Sequence, residues 1–98
     1  MRSESTQKEE GYAKMVITRA QCRAARALLE WTQDRLAETS SVSKKTVVDF
    51  EAGKRTPYDR TIADIARAFE AAGIHFIPEN GGGAGVRFRE GRCTDSKV

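Results

Sequence analysis

The polar and basic run Ser43-Lys44-Lys45-Thr46 contains the side chains best suited to bind a ligand. Ser43 is a favourable N-cap residue, so the two lysines are predicted to stand on the first turn of a helix. Lysine can donate to O6 and N7 of guanine in the major groove, and Thr46 suits a phosphate or a thymine methyl group. Asp49, one turn further along, can accept a hydrogen bond from N4 of cytosine. The run therefore predicts a helix that reads DNA base edges.

Two short helices joined by a tight turn would hold this run in place. Thr32 can cap the first helix, and residues 40–42 interrupt its helical pattern. Val47 and Phe50, three residues apart, form the buried stripe of the second helix, and Gly53 fits its C-terminal stop. Two helices across a short turn, the second opening with short polar and basic side chains, are the signature of a helix-turn-helix unit. An ordinary helical hairpin in a small bundle is the alternative.

Apolar, capping, acidic, glycine and proline positions agree in one register through this segment. They are Leu36-Ala37, Val42-Ser43, Thr46-Val47, Phe50-Glu51 and Gly53-Lys54-Arg55-Thr56-Pro57. With these positions, the segment from about Thr18 to Gly73 resembles the Cro/Xre-type, phage-repressor-like helix-turn-helix family. The resemblance implies a mainly α fold, with a compact four-helix helix-turn-helix domain, and a DNA-binding regulator. Ser41 departs from the family pattern, which usually has glycine there, and serine in a left-handed turn costs roughly 1 kcal/mol.

The resemblance also implies roles for individual side chains. Gln33, in the first turn of the first helix of the pair, matches the family's phosphate-binding glutamine. Lys54 and Arg55 lie where the family contacts phosphates, with a solvated basic turn as the alternative. Arg26 matches an arginine that pairs with the glutamate at the end of the recognition helix, here Glu51, and a solvated arginine is the alternative. The expected DNA-binding residues are Gln33, Ser43, Lys44, Lys45, Thr46, Asp49, Lys54 and Arg55.

Two further helices are predicted on either side of the pair. Thr18 and Gln21 form a capping box at the start of a helix that runs to Leu29. After the pair, Asp59 can cap a fourth helix over residues 60–72, whose apolar side chains recur at helical spacing. The four helices together predict a compact all-helical core.

The C-terminal segment has the period of strands. Residues 74–77 and 86–89 alternate in polarity, and residues 78–85 join them as the loop of a β-hairpin. The glycines of this loop lack the Lys-Ser/Thr ending of a phosphate-binding loop. A lone hairpin is marginal in water, so we expect its apolar face to contribute to a homodimer interface, with folding back on the fourth helix as the alternative. That face consists of Ile74, Phe76, Val86 and Phe88.

The chain therefore divides into four predicted parts. Residues 1–16 are a mobile arm, 17–73 the helix-turn-helix domain, 74–89 the hairpin and 90–98 a flexible tail. The arm and the tail are polar and charged and have no hydrophobic period. Met15 is a second candidate for the translation start.

Composition limits the classes of function. The 98 residues suffice for one domain with a modest core, and the net charge of +3 suits a polyanionic partner. Two cysteines, Cys22 and Cys93, and one histidine, His75, make neither a disulfide framework nor a zinc-ligand set. We therefore expect no catalytic residues, metal or cofactor. The polar N-terminus and the lack of an apolar run of membrane length indicate a cytoplasmic protein.

These observations favour a sequence-specific, DNA-binding transcriptional regulator. One helix-turn-helix unit reads only a few base pairs, so we expect a homodimer on a palindromic operator whose half-sites lie about one helical turn apart. The alternative is a protein-binding module of the same fold, an antitoxin or an anti-activator. The expected partners are double-stranded DNA and a second copy of the chain, with a regulatory protein in the alternative.

Overall fold

Four helices are followed by a two-stranded antiparallel hairpin in the computed structural model, which describes residues 17–79 and 81–90. The predicted arm and all of the predicted tail except Glu90 lie outside the described residues. The elements are α1 (Arg19–Leu29), α2 (Gln33–Ser40), α3 (Lys44–Ala52), α4 (Asp59–Ala71), β1 (Ile74–Ile77) and β2 (Gly85–Phe88). No helix in these described ranges is long and apolar enough to cross a membrane. The predicted fold class is confirmed.

Helices α1, α2 and α3 start at their predicted caps. Thr18 and Gln21 make both hydrogen bonds of the capping box, at 3.0 and 2.9 Å, at the start of α1. Thr32 caps α2, and Ser43 caps α3, each by accepting from the backbone N–H three residues later. Because each cap satisfies an N–H that lacks a partner within its helix, these residues fix where the helices begin.

The predicted start of α4 is wrong by one residue. The helix begins at Asp59, and Tyr58 occupies the N-cap position without a side-chain capping bond. Tyr58 has an extended backbone after Pro57, so Asp59 is itself the first helical residue. Its carboxylate stabilises the helix from the first turn instead, where it lies near the positive end of the helix dipole.

Residues with left-handed backbones end the first three helices. They are Glu30 (φ 58°), Ser41 (φ 61°) and Gly53 (φ 78°). Ser41 makes the turn between α2 and α3 in the conformation expected to cost serine roughly 1 kcal/mol. Glycine suits position 53 because of its positive φ, and a Cβ there would also lie 3.0 Å from the guanidinium carbon at the end of the flexible Arg19 side chain. These turns allow α3 to pack directly on α2 and α1.

The core lies where the helices and the hairpin meet. Its largest fully buried side chains are Phe69, Leu36, Ile65, Ile74, Val47 and Cys22. Half-buried Trp31 stacks on Phe69 with ring centroids 5.6 Å apart. Phe76 of β1 meets the same Phe69 ring edge-on at 5.9 Å. One aromatic cluster thus joins the helices to the hairpin.

The hairpin has the predicted alternation but a shifted second strand. Ile74 pairs with Phe88 and Phe76 with Val86, so these four apolar residues share one face. The second strand covers 85–88 instead of 86–89.

The apolar face of the hairpin packs within its own chain. β2 lies against α1 and β1 against α4, and Gln21 of α1 donates to the carbonyls of Ile77 and Gly85 at 3.3 and 2.9 Å. Ile74 is fully buried, so its predicted place in a dimer interface is corrected. The physical reason is that four short helices leave apolar surface uncovered, and the hairpin covers it. Partly buried side chains complete this packing: Phe76, Val86 and Phe88.

Candidate nucleic-acid interface

The solvent face of α3 carries the predicted base-reading residues together. We call this set the reading face: Ser43, Lys44, Lys45, Thr46 and Asp49. Ser43 and both lysines are exposed, and Thr46 and Asp49 are half-buried. The Ser43 hydroxyl also donates to the Thr46 hydroxyl at 2.8 Å, which orders the first turn. The reading face therefore presents two ammonium groups, two hydroxyls and one carboxylate.

Both lysines of the reading face form ion pairs on the protein surface. Lys45 Nζ lies 3.1 Å from Asp49 Oδ2, and Lys44 Nζ lies 3.1 Å from Oδ1 of Asp34 on α2. The Lys44 and Asp34 side chains are 57% and 73% exposed. Exposed ion pairs contribute about 0–1 kcal/mol, so a ligand can displace the Lys44–Asp34 pair at little cost.

The opposite end of α3 is fixed by a buried carboxylate. Glu51 has 3% of its side chain exposed and accepts two parallel hydrogen bonds from Arg26, Nε to Oε2 and Nη2 to Oε1, each 2.8 Å long. The salt bridge predicted between α1 and the end of α3 is therefore present. Arg26 Nη1 also donates to the carbonyl of Trp31 at 3.0 Å, which orients the guanidinium group. A bidentate pair of this kind is among the strongest side-chain contacts in proteins.

Two more donors complete this site, which we call the anchor network: Cys22, Arg26, Gln33 and Glu51. The Cys22 thiol donates to Glu51 Oε2 at 3.1 Å, and Gln33 Nε2 donates to Oε1 at 3.0 Å. The Cys22 contact is not among the predictions from the sequence. Cys22 and Arg26 are four residues apart and therefore lie on one face of α1. This spacing is the sequence signal from which the contact could have been predicted.

Protonation states in the anchor network follow from these contacts. Burial opposes ionisation of Glu51, but the hydrogen bonds from Arg26, Cys22 and Gln33 outweigh it and lower the pKa of the carboxyl. Burial, with the adjacent Glu51 carboxylate, raises the pKa of the Cys22 thiol far above its ordinary value. Cys22 is therefore a neutral hydrogen-bond donor rather than a reactive thiolate.

Two more arginines of α1 bind the backbone at the end of α3. Arg23 Nη1 donates to the Glu51 carbonyl at 2.8 Å, and Arg19 Nη1 donates to the same oxygen at 3.4 Å. The negative end of the α3 dipole is thereby neutralised. The sequence pattern assigns these arginines only to the outer face of α1, because a contact with a backbone carbonyl on another helix leaves no periodic signal.

Gln33 belongs to the anchor network and is also the predicted phosphate-binding residue. One of its two amide N–H donors is used by Glu51, and the side chain is half-buried at the start of α2. Its predicted contact with a DNA phosphate stays a prediction.

The predicted phosphate-contacting loop follows the end of α3. Lys54 and Arg55 are both exposed, and the Lys54 backbone N–H donates to the Asp49 carbonyl at 2.9 Å. Arg55 also borders a shallow cleft between the reading face and the start of α4. The cleft is lined by Thr46, Arg55, Thr56, Pro57, Tyr58 and Thr61. Side chains of the loop therefore lie beside the reading face, on the same side as the N-terminus of α4.

Comparison with known proteins supports one family. The helix-turn-helix family profile matches residues 23–72, which is 50 of the 98 residues and contains α2, α3, α4 and most of α1. Comparison with curated proteins gave no match. The matched segment includes the whole reading face and the anchor network except Cys22.

Proposed function

The chain belongs to the Cro/Xre-type helix-turn-helix family, a family of DNA-binding regulators, and we propose that it controls transcription by binding a palindromic operator as a homodimer. The observation that carries this proposal is the contrast along α3, whose start is exposed and basic while its end is locked in the core. In helix-turn-helix proteins the N-terminal residues of the second helix contact base edges in the major groove. Lys44 and Lys45 occupy those positions here.

Contacts of two kinds would hold the protein on DNA. Base contacts come from the reading face, where the ammonium groups suit guanine O6 and N7. Phosphate contacts come from Lys54, Arg55 and the remaining N–H of the Gln33 amide, and they fix the register of α3 in the groove. On binding, Lys44 exchanges its exposed partner Asp34 for base atoms.

The homodimer follows from the small footprint of one reading helix. Two copies of α3 about 34–36 Å apart would enter successive turns of the major groove on one side of the duplex. Ile74 is buried within its own chain, so the part of the predicted hairpin face proposed for the dimer interface is the partly buried set Phe76, Val86 and Phe88. Light scattering on the full chain at tens of micromolar tests this part, and a monomer there contradicts it. Action on an operator also places the protein in the cytoplasm.

Selection from a random duplex library, followed by fluorescence-anisotropy titration across a salt series, tests the function. A selected duplex is expected to bind at least about 10³-fold more tightly than a scrambled one at physiological salt. The logarithm of the binding constant should fall linearly with the logarithm of salt concentration, because bound phosphates release counterions. Failure to enrich or bind any duplex contradicts the proposal and favours the protein-binding module of the same fold.

A further inference from the structure

The Lys45–Asp49 pair presents a donor and an acceptor side by side on the reading face. The two residues lie one helical turn apart, with Nζ and Oδ2 separated by 3.1 Å. Asp49 has 15% of its side chain exposed, whereas Lys45 has 81% exposed. The carboxylate is thus held close to the helix, and the ammonium group extends from it into solvent.

A G·C base pair offers the complementary arrangement in the major groove. Guanine O6 is an acceptor and cytosine N4 a donor, and both face the groove. The two atoms are about 3 Å apart, because N4–H donates to O6 within the base pair. This separation matches the 3.1 Å between Lys45 Nζ and Asp49 Oδ2. The spacing of donor and acceptor in the ion pair therefore equals the spacing of acceptor and donor on the base-pair edge.

We propose that Lys45 and Asp49 act as one unit that recognises a single G·C base pair of the operator half-site. The Lys45 ammonium donates to guanine O6 and N7, and the Asp49 carboxylate accepts from the free N–H of cytosine N4. This inference rests on the proposed function and specifies which base pair the reading face selects. It also explains how an acidic residue sits on a DNA-reading surface, since the carboxylate has both a protein donor and a base donor.

The same unit disfavours a T·A pair, although thymine O4 and adenine N6 are also adjacent. The thymine methyl group stands beside O4 and obstructs the ammonium group, which gains no second acceptor there. On the purine side, adenine N7 is an acceptor and would face the carboxylate. Guanine N7 instead gives the ammonium group a second acceptor, so the G·C orientation satisfies every polar atom of the unit.

An ordinary i,i+4 ion pair is the competing explanation for the same contact. Such a pair supports the helix slightly and has no preference for a base. Base analogues separate the two explanations, because each analogue removes one hydrogen-bonding group from the major groove without changing the protein. 7-Deazaguanine lacks N7, and N4-methylcytosine replaces the groove-facing N4–H with a methyl group.

The experiment titrates the full chain against its selected duplex and against duplexes that carry each analogue at the guanine and cytosine of one base pair. Each analogue is expected to weaken wild-type binding by about tenfold. Lys45→Ala should lose its sensitivity to 7-deazaguanine, and Asp49→Ala should lose its sensitivity to N4-methylcytosine. Lys54→Ala is the matched control, since it should bind less tightly but keep full sensitivity to both analogues. Circular dichroism checks that every variant is folded.

Three results would overturn the inference. Variants at Lys45 and Asp49 that keep the wild-type response to both analogues show that other residues read the pair. If neither analogue weakens binding at any G·C pair of the selected site, Lys45 and Asp49 do not recognise a G·C pair, while the proposed function stands. A wild-type chain that selects no sequence removes the proposed function as well, so the two failures are distinguishable.

Discussion

The two ends of α3 differ in how their charged side chains are held. At the C-terminal end, the Glu51 carboxylate accepts four hydrogen bonds, two from Arg26 and one each from Cys22 and Gln33. At the N-terminal end, each lysine has one acidic partner, and both ammonium groups are exposed to solvent. The same helix thus carries a charge that is saturated by the protein and charges that remain available to a ligand.

This difference shows how the protein can fix a short helix at one end and leave charged side chains available at the other. Isolated helices of this length are marginal in water, so α3 depends on tertiary contacts for its stability. The anchor network and the Arg23 contact supply them at the end away from the bases. Lys44 and Lys45 are then free of such structural roles, and their substitution should change binding rather than folding.

The largest effect is expected from Arg26→Ala, which removes the main partner of a buried carboxylate. Removing one member of a well-desolvated pair costs about 3–5 kcal/mol. The free energy of unfolding of this variant should fall by most of that amount. Arg67→Ala is the control, because its pair with Asp64 is exposed (57% and 44%) and should contribute less than about 0.5 kcal/mol. Urea denaturation followed by circular dichroism measures both. Equal midpoints for the two variants would show that the anchor network does not hold α3.

Acid should weaken the same end of α3. The hydrogen bonds lower the pKa of Glu51 below its ordinary value of 4.5, so its stabilisation is fully present above that value. It is lost progressively as the pH falls below 4.5 and through the lower pKa of the folded state. Urea midpoints measured from about pH 7 to about pH 3 should fall more steeply for wild type than for Glu51→Gln. Parallel profiles would contradict the assigned direction of the pKa shift.

Gln33→Ala should lower both the stability of the fold and the affinity for DNA, each by a smaller amount. Loss of the hydrogen bond to Glu51 is expected to reduce the free energy of unfolding by roughly 1–2 kcal/mol. DNA binding should weaken by a similar factor on specific and scrambled duplexes, because a phosphate contact carries no base information. Urea denaturation and anisotropy titrations separate the two effects. A change in base preference would show that Gln33 contacts a base rather than a phosphate.

Asp34→Asn should have the smallest effect on stability, within about 0.5 kcal/mol, because its pair with Lys44 is exposed. The variant frees the Lys44 ammonium group and removes a negative charge beside the DNA. Its affinity should therefore rise on both specific and scrambled duplexes. Titration of both duplexes at one salt concentration checks this, and an unchanged or weaker affinity would contradict it.

Local rules predict most of the fold from the sequence. Thr18, Thr32 and Ser43 mark helix starts because a cap acts on backbone within three residues. Val47 and Phe50 mark a buried stripe by their spacing. The start of α4 at Asp59 is missed because Tyr58 and Asp59 are both candidates for the N-cap position. The extended backbone of Tyr58 after Pro57 decides between them.

The site is less visible in the sequence, because its contacts join distant residues. The bridge between Arg26 and Glu51 is predicted by resemblance, whereas Cys22 and the backbone contacts of Arg19 and Arg23 are not. The hairpin shows the same limit. Alternation identifies its apolar face but not what covers it, and that depends on how much apolar surface the four helices leave open.

The most direct test of the account compares the Lys44→Ala/Lys45→Ala double variant with wild type on a selected and a scrambled duplex. We expect an unchanged urea midpoint and a loss of about 1–3 kcal/mol of discrimination for each lysine that contacts a base. A double variant that keeps the wild-type ratio between the two duplexes would show that the exposed end of α3 does not read DNA.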